Sequence, residues 1–384
     1  MILWVFWLAS CTLAPEANAD PADQATSFYS QRAPHERPWD RGTPVPGVPG
    51  LSAEACGACH EDLVAEWRTS AHAQAWTDPQ YQAEITKSGN TWLCLNCHTP
   101  LMVQQQTWAI GLHDGDVERP ILMQNPGFDA ALREEGITCA ACHVRDGVIV
   151  GPGLGGQAPH PVRADPSFKS GALCERCHEA QVTYEGKNFL CAFGTGTEWR
   201  EGPWAAEGYT CNTCHMPSVE RPAATGGPTR TVARHWWEGS GIPKQHHSPR
   251  PPPEANQPGL DLTARIEAGS VVVTMTNARA GHYLPSGDPE RWVQVDVRFV
   301  DAAGAQLGSW QHRIGQRWEW EPTPRKLSDN RLAPREVRVE RVPIPEGTTR
   351  TELTAESHRI SKENAAYHHL TNPRFVRTHT LTLP

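Results

Sequence analysis

The pattern Cys-x-x-Cys-His occurs five times in the first 215 residues, at Cys56–His60, Cys94–His98, Cys139–His143, Cys174–His178 and Cys211–His215. Two thiols three positions apart can each form a thioether to the same porphyrin, and the histidine that follows then lies beneath the iron. The spacing therefore predicts covalently attached haem c, five per chain. Cys56, Cys59, Cys94, Cys97, Cys139, Cys142, Cys174, Cys177, Cys211 and Cys214 would be the attachment residues, and His60, His98, His143, His178 and His215 the proximal ligands. Ten of the 12 cysteines are used in this way, which leaves Cys11 and Cys191 and no disulfide framework. Zinc would account for paired cysteines but not for a histidine after every second one.

Successive motifs start 38, 45, 35 and 37 residues apart, and the sequences between them share no phase, so the chain is not a solenoid. A hydrophobic content of 38% is low for a chain that must bury several cores, and porphyrins are expected to supply the missing apolar volume. Helical periodicity is local, over Glu61 to Ala75 and Asp129 to Glu135. The glycine run 151–156 lacks the surroundings of a phosphate loop and reads as a turn packed close to a haem. The formal charge of −8, with no basic block, excludes a nucleic-acid face and suits a redox protein partner with a basic docking patch.

The second axial position decides between electron transfer and chemistry, because a second histidine saturates the iron and lowers its potential relative to methionine. Thirteen histidines remain outside the motifs. His72, in Ser70-Ala71-His72, His160, between two prolines, His235, shortly after the fifth motif, and His282, in Gly281-His282-Tyr283-Leu284-Pro285, are the expected distal ligands. The fifth falls to His113, His246 or His247. His35, in a polar proline-punctuated stretch, reads as a solvated loop residue.

Residues 1–19 read as an export leader, with two cleavage readings. Leu8-Ala9-Ser10-Cys11 resembles a lipoprotein box, which would make Cys11 a lipid anchor, whereas Ala17-Asn18-Ala19 fits an ordinary signal peptidase site. Either places the chain in the periplasm or at the cell surface. Residues 20–50 are expected to form a Pro-rich tether, 51–240 a pentahaem cytochrome domain of mainly irregular and α-helical structure, and 241–258 a Pro-rich linker. From 259 to 384, short alternating runs such as Trp292 to Val300 predict a C-terminal antiparallel β-sandwich of about seven strands, a candidate for docking or self-assembly.

Cys56 to His60 with Trp67, Ser70, His72 and Trp76, then Gly136-Ile137-Thr138-Cys139, then Cys211 to Pro217, resemble the multihaem cytochromes related to cytochrome c554 of nitrifying bacteria, over about residues 51–240. The resemblance implies closely packed haem pairs, mostly bis-histidine ligation, and a distal role for His72. Asn277 to Arg291 is similar to β-domains appended to some of these cytochromes. The fifth motif departs from the four-haem prototype, and there is no Cys-x-x-Cys-Lys motif of the kind found in many multihaem nitrite reductases. The expected function is an electron carrier of the bacterial cell envelope rather than an enzyme. The alternative is a multihaem oxidoreductase with one five-coordinate haem acting on a small nitrogen or sulfur oxyanion.

Overall fold

A computed structural model describes residues 20–382, apart from 90–91, 154–157, 184–189, 238, 240–241, 243–257, 321 and 372–373. Cys11, His246 and His247, and most of the 241–258 linker, lie outside the described residues, as does half of the glycine run 151–156.

Every attachment motif lies in or at the end of a short helix: Ala53–Gly57, Trp92–His98, Cys139–His143, Ala172–His178 and Cys211–His215. Helical residues three apart share a face, so in the last four motifs the helix turns both thiols the same way, while the first helix ends at Gly57, before Cys59. Side chains tie these helices together across the sequence. The Glu135 carboxylate accepts from Ala53 N at 2.8 Å, above the first motif, and from Thr138 Oγ1 at 2.6 Å, just before the third.

The helix expected from Glu61 to Ala75 ends at Arg68. Thr69 Oγ1 donates to Glu66 O at 2.7 Å, and Ser70 Oγ accepts from Ala73 N at 3.3 Å. Such local side-chain bonds compete with the helical ladder, so His72 sits on a turn. The second expected helix appears as Ala130–Glu134, with Asp129 capping it by accepting from Leu132 N at 2.9 Å.

The segment expected as a tether is built into the protein. Pro21–Ser30 is a helix capped by Asp20, and its Ala25 and Tyr29 are buried in a cluster with Trp92, Met102 and Trp108. Tyr29 Oη accepts from Ala109 N at 3.0 Å. Polar composition concealed this because a few apolar residues at helical spacing suffice to dock a short amphipathic helix. Further along, Trp39 N donates to Pro100 O at 2.7 Å, and Val45 is buried beside Leu101, Leu132 and Ala140.

Beyond residue 258 the described chain forms two antiparallel sheets. One has three strands, ordered Leu260–Glu267, Ser270–Asn277, Val337–Pro343. The other has five, ordered Arg325–Asp329, Gln306–Glu319, Trp292–Val300, Arg350–His358, Arg374–Thr382. Alternating residues from both sheets share one cluster, including Val271, Val273, Met275, Val295, Val297, Phe299, Ile314 and Leu353. This period of two is what half-buried strands require. No described helix is long and apolar enough to cross a membrane.

Candidate haem-binding site

In three cases the fold brings a motif histidine opposite a second histidine. Ring centroids are 6.3 Å apart for His178 and His72, 6.2 Å for His143 and His235, and 6.2 Å for His215 and His282. Two imidazoles on opposite faces of one metal place their centroids roughly 6 Å apart, counting about 2 Å per metal–nitrogen bond and about 1 Å to each ring centre. The observed spacing therefore leaves room for one iron and is too wide for a direct imidazole contact.

The ring orientations suit the same use. Nδ1 of His60, His98 and His143 bonds Ala223 O, Ala75 O and Val150 O at 2.7, 2.7 and 2.8 Å. His235 and His282 do the same toward Ala233 O and Tyr283 O, both at 2.9 Å. A carbonyl can only accept, so Nδ1 carries the proton and Nε2 keeps its lone pair for a metal. Burial, with neighbouring histidines, lowers His178 and His235 to about 4, and burial likewise lowers His282 to about 4. All three are neutral at pH 7, the form that ligates.

The arrangement fits haem in two further respects. Arg37, Arg176, Arg221 and Arg291 each have a buried Nε with no hydrogen-bond partner, and the carboxylates of haem propionates are acceptors of the complementary charge. The attachment cysteines also meet in pairs from different motifs: Cys56 with Cys139, Cys97 with Cys177, and Cys174 with Cys211. The third and fourth motifs are close enough for Cys142 to feel Cys177 electrostatically. The five motifs thus converge instead of forming five isolated sites.

The remaining expected ligands differ. His160 is half-buried, with a buried Nδ1 that has no partner, next to the segment around Gly47. His113 lies exposed in the 3-10 turn between the strands Thr107–Leu112 and Pro120–Gln124. Sequence reasoning missed several groups that support the site. Tyr81 stacks on His98 at 3.6 Å, and Phe168 on His143 at 4.9 Å. Trp237 makes edge contacts to both His72, at 4.5 Å, and His235, at 5.3 Å. Glu66, 6% exposed, accepts from Arg221 Nη2 at 2.8 Å, Arg234 Nη1 at 2.6 Å and the His235 backbone N–H at 2.8 Å, fixing the turn that carries His235.

Residues 55–118 match the family described as cytochrome c554 and c-prime. The fold is similar to that of a penta-haem cytochrome c552 from Thermochromatium tepidum, with a TM-score of 0.58 and 19% identity, over 86% of this chain and 99% of that one. No curated protein matches the chain.

Proposed function

We propose that this chain is a multihaem c-type cytochrome related to the cytochrome c554 family, with a C-terminal β-rich region, and that it carries five haems c and passes single electrons between redox proteins. The observation that carries the proposal is the set of histidine pairs at 6.2–6.3 Å, since an iron held on both faces has no site for substrate and can only exchange electrons. In this reading His72, His235 and His282 are the distal ligands of the fourth, third and fifth motifs, and His160 serves one of the others.

Haem, when bound, supplies a one-electron couple. The protein sets its position and environment. Motif helices orient the proximal imidazoles, backbone carbonyls fix tautomers, and the buried Nε groups of Arg37, Arg176 and Arg291 would offer donors to propionates. Contacts between attachment cysteines support an order in which the first motif neighbours the third, the third neighbours the fourth, and the fourth neighbours both the second and the fifth. Electrons entering at the first motif could then leave by either of two ends.

Residues 51–240 form the haem domain in this proposal and 259–384 a β-sandwich, with export through the 1–19 leader and lipid attachment at Cys11 placing the protein in the cell envelope. The β-rich half does more than dock, since it supplies His282. Docking or assembly through it is supported by the strand Arg325–Asp329, which is exposed throughout at the edge of its sheet.

The test is the mass of the matured protein combined with a spin-state count by magnetic circular dichroism. Five haems, with at least those of the third, fourth and fifth motifs low-spin and inert to carbon monoxide, are expected. Carbon monoxide binding at several haems per chain would refute it.

A further inference from the structure

We propose that His35 is an axial ligand in this protein, opposite His98 on the iron of the second motif. The inference rests on the reading of the second motif as a haem site and extends it to a residue outside the motifs whose sequence setting suggested a solvated loop.

His35 lies in the 3-10 helix Pro34–Glu36 and is only partly accessible; its Nε2 is buried and has no hydrogen-bond partner. A buried imidazole nitrogen without a partner is disfavoured unless something absent from the polypeptide satisfies it. The surroundings identify what that is. This 3-10 helix packs against both Trp92–His98 and Ala172–His178, the helices of the second and fourth motifs. The chain just after it is fixed in the same place: Arg176 Nη2 donates to Pro38 O at 3.3 Å, the Arg176 guanidinium lies 4.2 Å from the Trp39 ring centre, and Trp39 reaches Cys177. Cys177 in turn meets Cys97. His35 is therefore held where the second and fourth motifs come together.

Of these two irons, that of the fourth motif is already accounted for, because His72 stands opposite His178 at 6.3 Å. The iron held by His98 is the one left for His35. The position is also rigid. Glu36 is buried, pairs with Arg32 at 2.9 Å, and accepts from Ala33 N at 3.2 Å, closing the turn on both sides of His35. A ligand that must hold its geometry through repeated redox cycles needs such support.

The experiment uses the full matured chain. In His35→Gly, haem content by mass should equal wild type, one haem should turn from low-spin to high-spin and bind carbon monoxide at one equivalent, and added imidazole should restore the low-spin spectrum. In His35→Met, which keeps a ligand, one midpoint potential should rise with the low-spin count unchanged. Removing the second attachment site (C94S/C97S) should abolish the effect of His35→Gly. An unchanged spin count and unchanged potentials in both His35 variants, with haem content intact, would overturn the inference alone. A wild-type protein whose Cys94–Cys97 peptide carries no haem would overturn the reading beneath it.

Discussion

At Gly136 the backbone φ is 58°, and a Cβ there would lie 2.9 Å from both Ala75 N and His72 O. His72 O also accepts from Ile137 N at 3.0 Å, so the strand of chain entering the third motif is pressed against the turn that carries a proposed ligand of the fourth. Gly136→Ala combines a left-handed backbone with a backbone collision and should cost about 2 kcal/mol. It should also displace His72, seen as a shifted low-spin signal from one haem in magnetic circular dichroism; an unchanged spectrum and melting curve would contradict this. Glu66→Ala strands two guanidiniums and frees the His235 turn, and is expected to lose about 3 kcal/mol in thermal unfolding monitored at the Soret band. The histidines differ in how far sequence exposes them. The proposed proximal ligands are legible because covalent chemistry fixes their spacing, and His72 because its Ser-x-His setting resembles that of distal ligands in related cytochromes. His35 is not legible, because its burial depends on Pro34 to Trp39 lying between helices about 60 and 140 residues further along the chain.

Between elements, the β-rich half holds the fifth-motif region through a clamp of unequal parts. Arg331, with 8% of its side chain exposed, reaches Glu198 at 2.6 Å and Asp329 at 2.9 Å. Ser286 Oγ donates to Glu198 at 2.6 Å, and Asn277 Nδ2 donates to His282 O at 2.9 Å, so the clamp and the proposed ligand share one loop. Arg335 holds Glu207 with two bonds of 2.6 Å, but both partners lie at the surface. Arg331→Ala is thus expected to cost about 3 kcal/mol, because two carboxylates, one of them with only 11% of its side chain exposed, lose their counter-charge. Arg335→Ala should leave thermal unfolding almost unchanged, because water replaces the partner. Equal losses in the two variants by thermal unfolding would show that the clamp does not work through burial. The strands themselves were legible from alternation, as in Val293, Val295 and Val297, all inward-facing and buried. The clamp was not, since it pairs residues 133 positions apart that carry no local signal.

Across the whole molecule the two halves depend on haem to different degrees. A net charge of −8 before any propionates are counted should steer a basic redox partner, so reduction by such a partner should slow by roughly tenfold as ionic strength rises from low to physiological. A rate insensitive to salt would argue for apolar docking instead. The apolar interior is distributed unevenly. Fourteen buried residues join the two C-terminal sheets in one cluster, whereas the described clusters of the motif-bearing half contain eight, five and three. Small separate clusters cannot offset the entropy of ordering roughly two hundred residues, so that half needs its porphyrins as core. The sheets do not. Chain produced in cells unable to attach haem should therefore lose the motif-bearing half to brief protease treatment while a fragment spanning about residues 258–382 survives, identified by mass. Survival of residues 51–240 without haem would show that the polypeptide holds that half unaided, and loss of both halves together would show that the His282 loop, with its partly buried guanidinium at Arg331 and its orphaned Arg291 Nε, makes the β-rich half as dependent on haem as the rest.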